Sequence, residues 1–129
     1  MNANGDALKS TKKETFTECN MTIFNSYKVD PKGSYLTIPK LLQNGLKVYL
    51  MSGDWDDAVP FTDNYKSFYK MGVRLVGNAV PWSVSGQHAG FIKTYTYGLK
   101  FYLVKGAGHE VPLFQRERSF KVFQDFLLA

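Results

Sequence analysis

The sequence predicts an α/β fold: the edge of a sheet flanked by helices, with an Asp and a His on loops at strand ends. Three observations carry that expectation. Helical and strand-like segments alternate, the apolar runs end at turn signals, and two of those ends bear ionisable side chains. Leu36, Ile38, Leu41 and Leu42 form a short amphipathic pattern that stops at Asn44-Gly45, a typical helix exit. Residues 46–51 (LKVYLM) are rich in strand formers and end at Ser52-Gly53-Asp54, which reads as a buried strand. Thr62 is placed to cap the next helix, where Tyr65, Phe68 and Tyr69 share one face before Gly72. Val80, Trp82 and Val84, then residues 92–97, then 99–104 read as strands, with turns at Ser85-Gly86 and Tyr97-Gly98. Phe120, Phe123 and Leu127 mark a closing amphipathic helix. Upstream, residues 1–18 read as a polar lead with one short helical piece around 7–12, and residues 19–129 as a single segment of the α/β domain.

Composition narrows the function classes. At 129 residues, 44% hydrophobic and 16% aromatic, the chain has one domain's worth of sequence and enough apolar matter for a core. The loss of a neighbouring layer would still hurt at this size. The net charge of +5 comes from dispersed lysines, of which only Lys12-Lys13 are adjacent. With no basic run and no nucleic-acid motif, this is ordinary surface charge and no nucleic-acid partner is expected. No apolar stretch approaches the ~20 residues of a membrane span. Residues 1–13 lack a hydrophobic centre and do not read as a signal peptide, which taken literally means a cytosolic product. Cys19 is the only cysteine, so it is either a buried thiol or half of a bond to another chain. Asn20-Met21-Thr22 fits the glycosylation pattern, which matters if the chain enters the secretory route.

Two loops could carry chemistry. In Ser52-Gly53-Asp54-Trp55-Asp56-Asp57-Ala58-Val59-Pro60, three carboxylates fall within four positions. The calcium-loop pattern needs alternating oxygen ligands, a central Gly and a distal Glu; the position eleven after Asp54 is Tyr65, so no metal site is expected. Turn support by accepted backbone N–H bonds suits Asp54 and Asp57. The second loop is Gly106-Ala107-Gly108-His109-Glu110-Val111-Pro112, whose small residues let the backbone turn sharply before the imidazole. An Asp past one strand and a His past a later one match the second half of the Ser…Asp…His order of α/β-hydrolases.

At these residues the chain resembles the serine carboxypeptidases. Residues 50–60 resemble that family's S-G-D-x-D-x-V-V-P segment, and residues 105–112 its G-A-G-H-x-V-P motif. Pro81-Trp82 and Gly86-Gln87-His88-Ala89-Gly90-Phe91 resemble its P-W-x-x-x-x-Q-x-A-G-[YF] hairpin. Glu117-Arg118 and the Phe-rich tail resemble its closing helix, and a weaker similarity runs through Ala7-Leu8 and Phe16-Thr17-Glu18-Cys19-Asn20. The similarity is dense over 41–127 and thin before that.

The resemblance implies the C-terminal part of an α/β-hydrolase fold, incomplete on its own. It implies a serine-type carboxypeptidase that releases C-terminal amino acids from peptides, needs no cofactor, and is lysosomal, vacuolar or secreted. Asp56 aligns with the acid that orients the histidine and His109 with the general base. Asp54 aligns with an Asp supporting the turn, and Glu110 with the lining of the leaving residue's pocket. Cys19 matches a cysteine whose disulfide partner would lie outside this chain. His88 falls at a usually apolar hairpin position, which gives it a surface or packing role, and Trp82 reads as core. None of the serines (Ser10, Ser26, Ser34, Ser52, Ser67, Ser83, Ser85, Ser119) has glycine at both −2 and +2, as a G-x-S-x-G elbow requires. The expected partner is therefore a Ser-bearing N-terminal portion or large chain, and the isolated chain is expected to be inactive. The alternatives are an inactive fragment or binding module of that family, and an acyltransferase on the same fold.

Overall fold

The computed structural model describes Thr17, residues 20–28 and residues 33–129. Cys19 and the helical piece expected around 7–12 lie outside the described residues. The chain divides into two units between Pro31 and Lys32. In the first, helix α1 (Met21–Ser26) starts at Asn20, whose Oδ1 accepts the Thr22 and Ile23 amides at 3.0 and 3.2 Å. This is the side-chain cap that Asn supplies to otherwise orphan N–H groups.

The second unit is mixed α/β. A 3-10 turn (Ser34–Leu36) and α2 (Ile38–Gln43) lead into strand β1 (Tyr49–Gly53) and α3 (Phe61–Met71). The hairpin strands β2 (Val80–Val84) and β3 (Gln87–Thr94) follow, then β4 (Lys100–Val104), a short α4 (Val111–Phe114) and α5 (Arg116–Leu128). The sheet order is β1-β4-β3-β2, with β1 parallel to β4 and the other pairs antiparallel.

Alternation along β4 sorts the core into two layers. Tyr102 and Val104 are buried with Trp82, Ala89, Val111 and Val122, whereas Phe101 is buried with Leu42, Phe68, Tyr95 and Leu99. Tyr102 is 1% exposed, and its hydroxyl bonds Asp125 Oδ2 on α5 at 3.3 Å; burial, then the Asp125 charge, pushes this phenol up. Trp82 is 8% exposed and its indole N–H reaches the Leu103 carbonyl, so it is a core residue with its polar tip satisfied.

Four expectations are corrected. Strand β1 begins at Tyr49 and runs through Gly53, because its partner β4 starts at Lys100 and the parallel register sets Tyr49 against Lys100 and Gly53 against Val104. As an incomplete sheet would leave it, β1 lies at the sheet's edge with Met51 40% exposed. Helix α3 starts directly after Pro60, at φ −55°, and Thr62 makes no side-chain cap. Its buried stripe includes Phe68 with Phe61 and Tyr65 packed beside it, while Tyr69 stays 88% exposed. On α5 the inward residues are Ser119 and Val122, with Phe126 against Tyr49. Phe120, Phe123 and Leu127 are exposed, on a stripe roughly a quarter turn away at 3.6 residues per turn.

Candidate active site

Because β1 and β4 run parallel as neighbours, the loops at their C-terminal ends emerge side by side. Glycine makes the approach possible. A Cβ on Gly53 would lie 2.0 Å from the Ala107 carbonyl oxygen, so any larger residue would hold the two loops apart.

Main-chain bonds continue the contact past the strands. The Asp54 amide donates to Val104 O at 3.1 Å and the Trp55 amide to Ala107 O at 3.0 Å. Asp54 Oδ1 accepts the Gly106 amide at 2.6 Å, across 52 residues of sequence. Gly106 sits at φ +70°, and its carbonyl accepts Gln115 Nε2 at 2.9 Å. The peptide before it is held too, since Arg118 Nη1 donates to the Lys105 carbonyl. Leaving the part-buried Gly106 N–H or carbonyl unpaired would cost about 1–3 kcal/mol.

This frame brings Asp56 to His109. The distance from Asp56 Oδ2 to His109 Nδ1 is 3.0 Å. An ionised carboxylate only accepts, so Nδ1 carries the proton and Nε2 is the free basic atom. Asp56 Oδ1 accepts the Ala58 and Val59 amides at 3.0 and 2.9 Å, so the carboxylate is fixed on both oxygens. The Val59 N–H, then the bond to His109, holds the Asp56 carboxyl below its ordinary value of 3.8. Its side chain is 6% exposed against 61% for His109, which leaves an anchored acid behind an open imidazole.

The other predicted residues fall as follows. Asp57 is exposed. Glu110, also exposed, stands at the start of α4, where its carbonyl accepts the Leu113 amide at 2.9 Å. His88 lies on β3 with its ring edge-on to Phe91 at 5.2 Å and makes no hydrogen bond to Asp56 or His109, although it lines an open cavity together with Asp54. Among the described residues no group of three or more His, Cys, Asp or Glu side chains converges to hold a metal. No helix among them is long and apolar enough to cross a membrane. No described serine hydroxyl bonds His109: Ser26 donates to Ile23 O, Ser52 accepts from Asn64, Ser85 donates to Glu117 and Ser119 to Gln115 O. Gln115 and Arg118 brace the histidine loop from the start of α5. Sequence reasoning missed Gln115 altogether and saw Arg118 only as part of the closing helix, because nothing in their spacing marks a contact with that loop.

The family model described as serine carboxypeptidase matches residues 4–129. Serine carboxypeptidase-like 35 of Arabidopsis thaliana is 40% identical over 90 residues, covering 70% of this chain and 19% of its own length. Putative serine carboxypeptidase-like 23 of the same organism is 37% identical over 113 residues, covering 87% and 24%. Serine carboxypeptidase II-1 of Hordeum vulgare is 31% identical over 113 residues, covering 88% and 35%. The chain thus spans between about a fifth and a third of the length of these relatives.

Proposed function

Because this chain belongs to the serine carboxypeptidase family, we propose that it is the Asp/His-bearing C-terminal portion of a Ser-Asp-His hydrolase that releases C-terminal amino acids from peptides. The nucleophilic serine and the oxyanion hole are supplied by polypeptide outside these 129 residues. The fold is the corresponding part of an α/β-hydrolase sheet. The observation that carries the reading is the 3.0 Å bond between Asp56 and His109 on loops at the ends of adjacent parallel strands.

The chemistry follows from that bond. Asp56 fixes the tautomer that leaves His109 Nε2 basic, and its charge supports the imidazolium formed when His109 takes the serine proton. His109 then returns that proton to the departing amine, and the acyl-enzyme is hydrolysed by water in the same manner. Glu110, beside His109, lines the pocket for the leaving residue. Cys19 forms a disulfide with a cysteine beyond this chain, and the enzyme is lysosomal, vacuolar or secreted. The exposed edge of β1 and the uncovered α5 stripe support a partner of the same enzyme packing there.

The test is turnover of an N-blocked dipeptide by the complete enzyme. Asp56→Asn should lower kcat on the order of 10,000-fold with the fold intact, since the acid then favours the wrong tautomer. His109→Ala should be comparably impaired. Near-normal turnover in either variant would refute the reading.

A further inference from the structure

We infer that Asp54 is a positioning residue for the Asp56–His109 pair and that it acts through the Gly106 amide. The inference rests on the proposed catalytic role of that pair. From sequence, Asp54 is expected to support its own turn, but Asp56 Oδ1 already does so through the Ala58 and Val59 amides. The Asp54 carboxylate instead crosses to the histidine loop, where it accepts Gly106 N–H at 2.6 Å.

Three bonds stitch the two loops behind the pair, and two are main chain to main chain, from the Asp54 and Trp55 amides. The third depends on a side chain. It fixes the Lys105–Gly106 peptide at its N–H, with Arg118 on that peptide's carbonyl, while Gln115 Nε2 holds the Gly106 carbonyl in the next peptide at 2.9 Å. The slack between Gly106 and His109 is small. A Cβ on Ala107's neighbour Gly108 would meet the Phe114 ring at 3.0 Å, and Ala107 itself is fully buried. The orientation of the Gly106 peptide is therefore passed on to the imidazole three residues later. Asp54 makes no bond to His109, so any effect it has on turnover is exerted through the backbone. Displacements of about 1 Å at a reacting group are enough to cost on the order of 100-fold in rate.

Two substitutions in the complete enzyme separate positioning from bulk stability. Asp54→Ala removes the acceptor and should lower kcat by about 10- to 100-fold while KM stays within about twofold. Asp54→Asn keeps an oxygen at the same place and should remain within about threefold of the parent in kcat. The hydrogen-bonded Nδ1 proton of His109, observed by NMR well below the unfolding temperature, should persist in Asp54→Asn and broaden or vanish in Asp54→Ala. Full kcat in Asp54→Ala would overturn the inference. So would equal losses in both variants, or a loss that only follows the folded fraction with the Nδ1 signal intact. If Asp56→Asn and His109→Ala leave turnover unchanged while Asp54→Ala still abolishes the Nδ1 signal, the catalytic reading fails and the positioning contact stands.

Discussion

Gly53 and Ala107 meet with no room for a side chain: a Cβ on Gly53 would sit 2.0 Å from the Ala107 carbonyl oxygen. Gly53 is also paired with Val104 in the parallel ladder, so the crowding cannot be relieved by sliding one strand. Gly53→Ala must part the two loops that carry Asp56 and His109. Overpacking of this kind costs about 1–3 kcal/mol. Urea unfolding should show that loss, and the Nδ1 proton of His109 should weaken with it. An Ala variant of parental stability would mean that the loops are softer than this packing implies.

The Asp56 carboxyl is held below 3.8, chiefly by the Val59 amide and next by His109. A depressed folded value gives a contribution to stability that is fully present above the unfolded value near 3.8. It is lost as pH falls below that, through the lower folded value. The Val59 amide resonance should therefore titrate with a midpoint below 3.8. His109→Ala should move that midpoint upward only part of the way, because the larger cause, the Val59 N–H, remains. A midpoint at or above 3.8 in the parent would contradict the geometry.

The two loops were legible in the sequence because each begins where an apolar run stops, and a parallel sheet delivers such ends to one edge. What the pattern could not express was contact across 52 residues. Gly53 reads as a strand terminator, yet it is a strand residue chosen for the backbone it touches. Asp54 reads as a local turn acceptor for the same reason. Periodicity places Phe120, Phe123 and Leu127 on one stripe of α5 correctly, but it is silent on whether a partner covers that stripe. The β2–β3 turn was plain: Ser85 and Gly86 both take positive φ, at +49° and +75°, as a tight hairpin demands.

Asn20 caps α1 with Oδ1, through the Thr22 and Ile23 amides, and the residue is exposed. A glycan would be attached through Nδ2, so capping and modification use different atoms. Expression of the complete enzyme through a eukaryotic secretory route should give a mass shift that peptide-N-glycosidase removes. Asn20→Gln and Thr22→Ala should each abolish the part of the shift that maps to this site. An unmodified Asn20 in secreted material would refute the expectation.

The two stripes of α5 should respond differently to truncation. Val122 is 2% exposed and packs into the layer containing Trp82, Tyr102 and Val104, so its loss should be felt by this unit itself. Val122→Ala should lower stability by about 1–3 kcal/mol through lost burial and a residual void. Phe123 is 52% exposed and lines an open groove of about 220 Å³ with Tyr49, Leu50, Met51, Val122 and Phe126, beside the free edge of β1. Its removal takes little from the packing within residues 32–129. Phe123→Ala should therefore change the unfolding of this chain by less than about 0.5 kcal/mol. In the complete enzyme the same substitution should cost several times more, because there the groove is expected to be filled. Comparing the two variants in both contexts by denaturant unfolding decides the matter. If Phe123→Ala is equally mild in the complete enzyme, the groove faces solvent there, and the rest of the protein packs against a different face.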